Sequence, residues 1–179
     1  MGEQQPPILA GQDMVETAAT VARQAHEGQV DKAGSPYIGH PARVAARIAD
    51  DPVAASVAWL HDTVEDTGTT LEELRRLGFP AAVRDAVEAM TRRDGEHPDD
   101  YYRRVARNET ALRVKRADIA DNSDPRRLSR LDPSLRERLE SKYAHATRRL
   151  DALAVGGDPR DVEGGSAARG VTRRTPRQT

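Results

Sequence analysis

Trp59-Leu60-His61-Asp62-Thr63-Val64-Glu65-Asp66-Thr67 places one histidine and three carboxylates within six residues, directly behind an apolar run. If the segment is helical, His61 and Glu65 lie four residues apart, as do Asp62 and Asp66, and each pair shares a face. His61 and Asp62 are then about 100° apart around the axis, near enough for both to aim at one ion. Acidic groups belong near a helix N-terminus, but here they crowd toward the C-terminal side, where the macrodipole opposes them. The run in front, Val53 to Leu60 behind Asp51-Pro52, is apolar almost all round, the pattern of a buried helix with Asp51 as its N-cap. Such a helix carries His61 and Asp62 into the interior, where an uncompensated carboxylate is costly. The stretch reads as part of a site set in a helical core.

The flanks extend this reading. Asp13-Met14-Val15-Glu16 has capping-box spacing, and Val15, Ala18, Ala19, Ala22 and Ala25 recur at helical intervals, predicting a helix over 13–28 that Gly28 ends. Gly34, Pro36 and Gly39 make the next stretch a loop, which carries Lys32 and Tyr37. His40-Pro41 opens a second helix with Val44, Ala45 and Ile48 inward. Past Gly68, Thr70 to Glu73 offers another capping box, Pro80 starts a further helix, and Thr91 to Pro98 is a polar connection. Two more helices follow, the second bearing Lys115, Asp118, Asp121 and Asn122, with Asp118 and Asn122 again one turn apart. A last helix runs from Pro133 to about Val155. Residues 1–12 read as a loose lead-in, 13–155 as one helical domain, and 156–179, rich in Gly and Arg, as a disordered tail. The predicted fold is all-α, a single-domain bundle of about eight helices.

With 179 residues the chain is long enough for one domain with a real core. A net charge of -1 provides no global field toward nucleic acid or an anionic membrane, so an anionic ligand must be held by local charges. The absence of cysteine excludes disulfides and thiolate metal sites, leaving His, Asp and Glu as ligands. That donor set suits a harder divalent ion such as Mn²⁺ at least as well as Zn²⁺. No apolar run approaches the roughly 20 residues of a membrane span, and Met1 to Gln12 lacks the pattern of a signal peptide, so a cytoplasmic location is expected.

Collecting the ionisable groups at buried or element-end positions gives His40, His61, Asp62, Glu65, Asp66, Asp118 and Asn122. Two histidines and two aspartates from three helices would make a mixed nitrogen and oxygen site with room for water. Glu65 and Asp66, one turn beyond, would orient or deprotonate that water. The series Tyr37-Ile38-Gly39-His40-Pro41, His61-Asp62, Glu65-Asp66 and Lys115-Arg116-Ala117-Asp118 with Asn122 resembles the HD-domain phosphohydrolases. It is most similar to the hydrolase domain of RelA/SpoT-type enzymes and small alarmone hydrolases, and the likeness runs from about Val15 to Leu150, His26-Glu27-Gly28-Gln29 included.

The resemblance implies an HD-type fold and a metal-dependent enzyme that removes the 3′-pyrophosphate of guanosine 3′,5′-bis(diphosphate) (ppGpp) and related alarmones, usually with one Mn²⁺. It implies that His40, His61, Asp62 and Asp118 hold the metal and that Glu65 and Asp66 position and activate water. It further implies that Lys32 contacts phosphate, that Asn122 helps to bind the nucleotide and that Tyr37 borders its pocket. The expected partner is thus a small-molecule nucleotide, with neither membrane nor specific nucleic acid. One position departs from the pattern. Asp31-Lys32 stands where Arg-Lys is typical, and a carboxylate near polyphosphate repels it. Either Asp31 turns outward or the substrate is another nucleotide, such as NADPH or a nucleoside phosphate. A helical module that binds nucleotide without turnover is the third reading, against which the intact Glu65 and Asp66 speak.

Overall fold

The structure, a computed structural model, describes residues 6–156. They form an all-α fold of ten helices: α1 (Gly11–Ala25), α2 (Gly39–Ala46), α3 (Pro52–Leu60), α4 (Thr63–Asp66), α5 (Leu71–Arg76), α6 (Ala81–Met90), α7 (Pro98–Ala106), α8 (Glu109–Asn122), α9 (Pro125–Leu128) and α10 (Pro133–Gly156). Among the described residues the only extended pairing is a single bridge between Val30 and Pro36, which closes the loop ahead of α2.

Two helices form the centre. The apolar circumference of α3 is buried at Ala54, Ala55, Val57, Ala58 and Leu60, and α3 packs against α1, α2, α6 and α8. In turn α8 buries Ala111, Val114, Ala117 and Ile119 and also touches α2, α6, α7 and α10. Burial on this scale is the main favourable term for a helix as short as α3, since isolated helices of its length are marginal in water. Asp51 fixes where α3 begins, its Oδ1 accepting from the amides of Val53 (2.9 Å) and Ala54 (3.1 Å). The capping box at α5 forms as read: the Glu73 amide donates to Thr70 Oγ1 (3.1 Å), and the Thr70 amide to Glu73 Oε2 (2.7 Å). Trp59 packs against the core with the Arg23 guanidinium 5.1 Å from its ring centre.

The helix count exceeds the eight expected because two one-turn helices stand apart. The helix read as running through Asp66 is interrupted at His61-Asp62. There His61 Nδ1 donates to the Ala58 carbonyl and Thr63 Oγ1 to the Leu60 carbonyl, both at 2.8 Å, so side chains take up carbonyls at the end of α3. The Asp66 amide then returns to the Asp62 carbonyl at 2.9 Å, and α4 begins. The second extra element, α9, starts at Pro125 behind Asp124, whose Oδ1 accepts from the Arg126 amide at 2.8 Å.

At the start of the chain, Asp13 is not a cap. Helix α1 begins at Gly11 behind Ala10, and Asp13 lies in its first turn. Of the expected lead-in, residues 1–5 lie outside the described residues. The rest is tied down, with the Leu9 amide donating to the Gly78 carbonyl at 2.9 Å and Leu9 packed on the core. Gly78 has φ +89°, and a Cβ there would come within 2.4 Å of the Pro7 carbonyl oxygen, so glycine is required for this approach. Beyond Gly156, which ends α10, the tail expected to be disordered lies outside the described residues. No helix among the described residues is long and apolar enough to cross a membrane.

Two substitutions test this description by chemical denaturation. Leu150, fully buried where α10 meets the core, should cost about 2–5 kcal/mol as Leu150→Ala. Asp51→Ala should cost about 1 kcal/mol through loss of the α3 cap.

Candidate metal centre and substrate cleft

Three helices converge on one place. His40 lies in the first turn of α2, His61 and Asp62 follow α3 directly, and Asp118 sits one turn before the end of α8. His40, His61 and Asp118 are all buried. One ligand atom from each lies within 4.8 Å of the others. His40 Nε2 is 3.1 Å from Asp118 Oδ1 and 3.9 Å from Asp62 Oδ2, and His61 Nε2 is 3.0 Å from Asp62 Oδ2 and 3.8 Å from Asp118 Oδ1.

The proton positions follow from the partners. His61 Nδ1 faces a carbonyl, which only accepts, so Nδ1 carries the hydrogen and neutral imidazole presents a lone pair at Nε2. His40 Nδ1 faces Asp121 Oδ2 at 2.8 Å, which directs its Nε2 lone pair to the same place. His61 Nε2 is fully buried and, although close to Asp62, is aligned with no acceptor for a hydrogen bond. Two groups that approach without bonding to each other could serve as ligands of a third. Around an ion bound at about 2.1 Å, donor atoms stand roughly 3 to 4.2 Å apart, and all four separations fall in that interval.

The charge balance agrees. Burial opposes ionisation of Asp62, but His61 overrides it and holds the carboxyl below the ordinary range. Burial likewise opposes ionisation of Asp118, and Lys115, His40 and His61 bring it down. Burial would lower His61, yet the Asp62 and Asp118 carboxylates push it up to about 9. The proton retained there marks a position where positive charge is favoured, and a metal ion would displace it. The set of two imidazoles and two carboxylates fits a divalent cation, and His40, His61 and Asp118 could hold one with Asp62 alongside.

A layer of support surrounds these groups. Tyr37 donates its hydroxyl to Asp62 Oδ2. Asn122 Nδ2 donates to Asp118 Oδ1 at 2.6 Å, while Lys115 Nζ lies 2.8 Å from Asp118 Oδ2. Asp121, almost wholly buried, accepts from His40, from Arg43 Nε at 2.8 Å and from Arg127 Nη1. His26 donates from Nδ1 to Gln29 Oε1 at 2.9 Å, and its ring lies 4.8 Å from that of Tyr37.

The site opens into a cleft of about 770 Å³, within the range of small-ligand sites. Asp62, Glu65, Asp66 and Asp118 line it, and so do cations that include Lys32, Arg92, Arg126 and Lys142. Asp66 is raised above the ordinary carboxylate range, first by burial and then by the Asp62 and Glu65 charges. Glu65 Oε2 accepts from the Arg92 amide at 2.7 Å, which ties α4 to the connection after α6. Lys142 is lowered by burial and by Lys32, Arg92 and Lys115, the mark of positive charges gathered without enough counter-charge.

All nine residues singled out from the sequence line this centre or its cleft, but their contacts refine the picture. Tyr37 and Asn122 spend polar groups on Asp62 and Asp118. Lys115 is paired with Asp118, whereas Arg116 turns away to Asp151 at 2.8 Å. His97 and His145 are exposed. Sequence reasoning named Asp121 without giving it a role and passed over Arg43, Arg127 and Lys142. Asp121 follows Asp118 by three residues and Arg43 follows His40 by three, so helical spacing from each ligand was the available signal. Arg127 and Lys142 carried none, because tertiary packing alone brings α9 and α10 to the cleft.

No protein-family model matches the chain. A guanosine-3′,5′-bis(diphosphate) 3′-pyrophosphohydrolase of Haemophilus influenzae is 34% identical over 131 residues, covering 66% of this chain and 19% of that protein. The bifunctional (p)ppGpp synthase/hydrolase SpoT of Escherichia coli is 41% identical over 80 residues, 43% of this chain and 11% of its own length. The chain is a relative of the RelA/SpoT-type hydrolases. A GTP pyrophosphokinase of Streptomyces coelicolor, 38% identical over 115 residues, shares 63% of this chain and 13% of its own. The chain thus spans no more than about a fifth of these curated relatives. Its RelA/SpoT-type fold also matches a solved structure of a metazoan SpoT ortholog that hydrolyzes ppGpp, with TM-score 0.63 at 21% identity over 84% of this chain and 90% of that one.

Support of the His40 imidazole by Asp121 has a measurable consequence. Asp121→Asn should weaken Mn²⁺ binding about 10- to 100-fold in calorimetric titration of metal-free protein, the usual worth of a carboxylate behind a metal-bound histidine.

Proposed function

We propose that residues 13–155 form a metal-dependent phosphohydrolase domain that removes the 3′-pyrophosphate of ppGpp and related alarmones. The observation that carries this reading is the pairing of two kinds of group in one cleft: two imidazoles and two carboxylates converge at one point, and Lys32, Arg92, Arg126 and Lys142 are among the residues that line the cavity around it. A nucleotide with phosphate at two positions matches that pairing. Similarity to proteins named ppGpp 3′-pyrophosphohydrolase supports the choice of substrate. Asp31, which in the sequence argued for a different nucleotide, is turned into its own loop and faced by Arg127, so its charge is balanced.

In this reading His40, His61, Asp62 and Asp118 hold one Mn²⁺ or a similar divalent ion. When bound, the ion lowers the pKa of water and neutralises charge on the phosphoryl oxygens. The chain supplies the rest. Asp66, raised in pKa and exposed to the cleft, takes the proton of the attacking water, and Glu65, anchored on the Arg92 amide, keeps α4 in position. Water attacks the phosphorus bonded to the 3′ oxygen, that bond breaks, and the 3′ oxygen leaves with a proton, giving GDP and pyrophosphate. Lys32 and Lys142 hold phosphate from the loop and from α10, and Asn122 and Tyr37 border the nucleotide while bracing Asp118 and Asp62.

Purified protein with Mn²⁺ should convert ppGpp to GDP and pyrophosphate, read by anion-exchange chromatography. Asp66→Asn should slow turnover about 10²- to 10⁴-fold, the range for a general base. Lys142→Ala should raise KM more than it lowers kcat. No turnover of ppGpp across several divalent metals, with another nucleotide consumed, would overturn the substrate assignment.

A further inference from the structure

The loop over 29–37 is closed on itself before it meets anything else. The Asp31 amide donates to the Ser35 carbonyl at 2.8 Å and the Tyr37 amide to the Gln29 carbonyl at 2.9 Å. Within this hoop Asp31 Oδ1 accepts from the amides of Ala33 (2.9 Å) and Ser35 (3.0 Å). The other oxygen, Oδ2, faces out of the hoop and lies 3.6 Å from Arg127 Nη2. The opposite arm of the same guanidinium, Nη1, donates to Asp121 Oδ2, the oxygen that also receives His40 Nδ1.

We propose that Arg127 is a positioning residue that locks the 29–37 loop to the carboxylate behind His40, so that the position of Lys32 and the orientation of the imidazole are set together. The proposal rests on reading the cleft as a metal-dependent hydrolase centre. Its physical basis is the fork of the guanidinium: two carboxylates over 80 residues apart in sequence, Asp31 and Asp121, each engage a different arm. A lysine, a single point of charge, cannot serve both. The aspartate at 31 then has a purpose that an arginine there could not fulfil, since it is the anchor to which the α9 arginine fastens. Tyr37, bonded to Asp62 from the other end of the loop, provides a second fastening, so releasing Arg127 loosens the Asp31 side first.

The test uses the 179-residue chain, metal-free and Mn²⁺-loaded, as wild type, Asp31→Asn, Arg127→Gln, Arg127→Lys and the Asp31→Asn/Arg127→Gln double variant. Asp31→Asn is chosen because its amide oxygen can keep the bonds to Ala33 and Ser35 while the charge facing Arg127 is lost. Hydrogen exchange at the loop amides, measured without metal or substrate, should quicken about 2- to 5-fold in Asp31→Asn and in Arg127→Gln, the worth of a partly exposed ion pair. The double variant should be no faster than the faster single, because both substitutions break one link. Mn²⁺ affinity should fall about 3- to 10-fold in Arg127→Gln and less in Asp31→Asn, with Arg127→Lys recovering the metal affinity but not the slow loop exchange. Loop exchange as slow in Arg127→Gln as in wild type, or fully additive effects in the double variant, would overturn the proposal. Should Arg127→Gln fail to fold, unaltered exchange in both Asp31→Asn and Arg127→Lys overturns it equally. The exchange readout needs neither metal nor nucleotide, so it decides the lock separately from the hydrolase reading, which fails if wild type binds no divalent metal.

Discussion

Two carboxylates, Asp62 and Asp118, and two imidazole nitrogens are brought to one buried point by α2, α3 and α8, and much of the molecule is arranged to make that tolerable. Like charges at such separations are costly away from water unless positive charge stands among them. Lys115 supplies part of it on one oxygen of Asp118, and the histidines supply more when protonated. What the side chains leave open is the point that all four donor atoms face. The buried Nε2 of His61, 3.0 Å from an Asp62 oxygen and yet not aligned to hydrogen-bond with it, is the clearest sign that this point could hold a cation.

The same constraint explains the local fold. A continuous helix through Asp66 would run smoothly past the site. The chain instead breaks at His61-Asp62, where His61 and Thr63 take up carbonyls at the end of α3, and α4 resumes with Glu65 and Asp66 facing the cleft. The all-round burial of α3 puts His61 in the interior, and the central place of α8 does the same for Asp118. Around them Asp121, Arg43 and Arg127 form a chain of charge that holds His40 from behind and extends to the loop bearing Lys32. The charged centre and the loop that carries Lys32 are therefore fastened to one scaffold.

Local signals made most of the fold legible. Asp51 before Pro52, the Thr70 to Glu73 box and the prolines that open α3, α7, α9 and α10 mark real boundaries, because the caps satisfy backbone groups with residues nearby in sequence and a proline at the first position has no amide to leave unpaired. Asp13 misleads for the same reason, since capping-box spacing says nothing of the contact with Gly78 that seats the segment before α1. The centre was legible as residues and spacing, and its second layer was not. Arg127 and Lys142 reach the cleft only because α9 and α10 fold back over it, and the sense of Asp31 depends on an arginine 96 positions away in the chain. Charge taken position by position suggested repulsion at Asp31. The folded arrangement supplies its counter-charge.

X-ray absorption of the chain loaded with one equivalent of Mn²⁺ tests the central claim most directly, because it reports the atoms around the ion whatever the substrate. The account predicts one ion per chain with two imidazole nitrogens in its coordination sphere and oxygen for the remainder, and loss of imidazole scattering when His40 and His61 are both replaced by alanine. An ion surrounded by oxygen alone in the unaltered chain, or no stoichiometric binding, would contradict it.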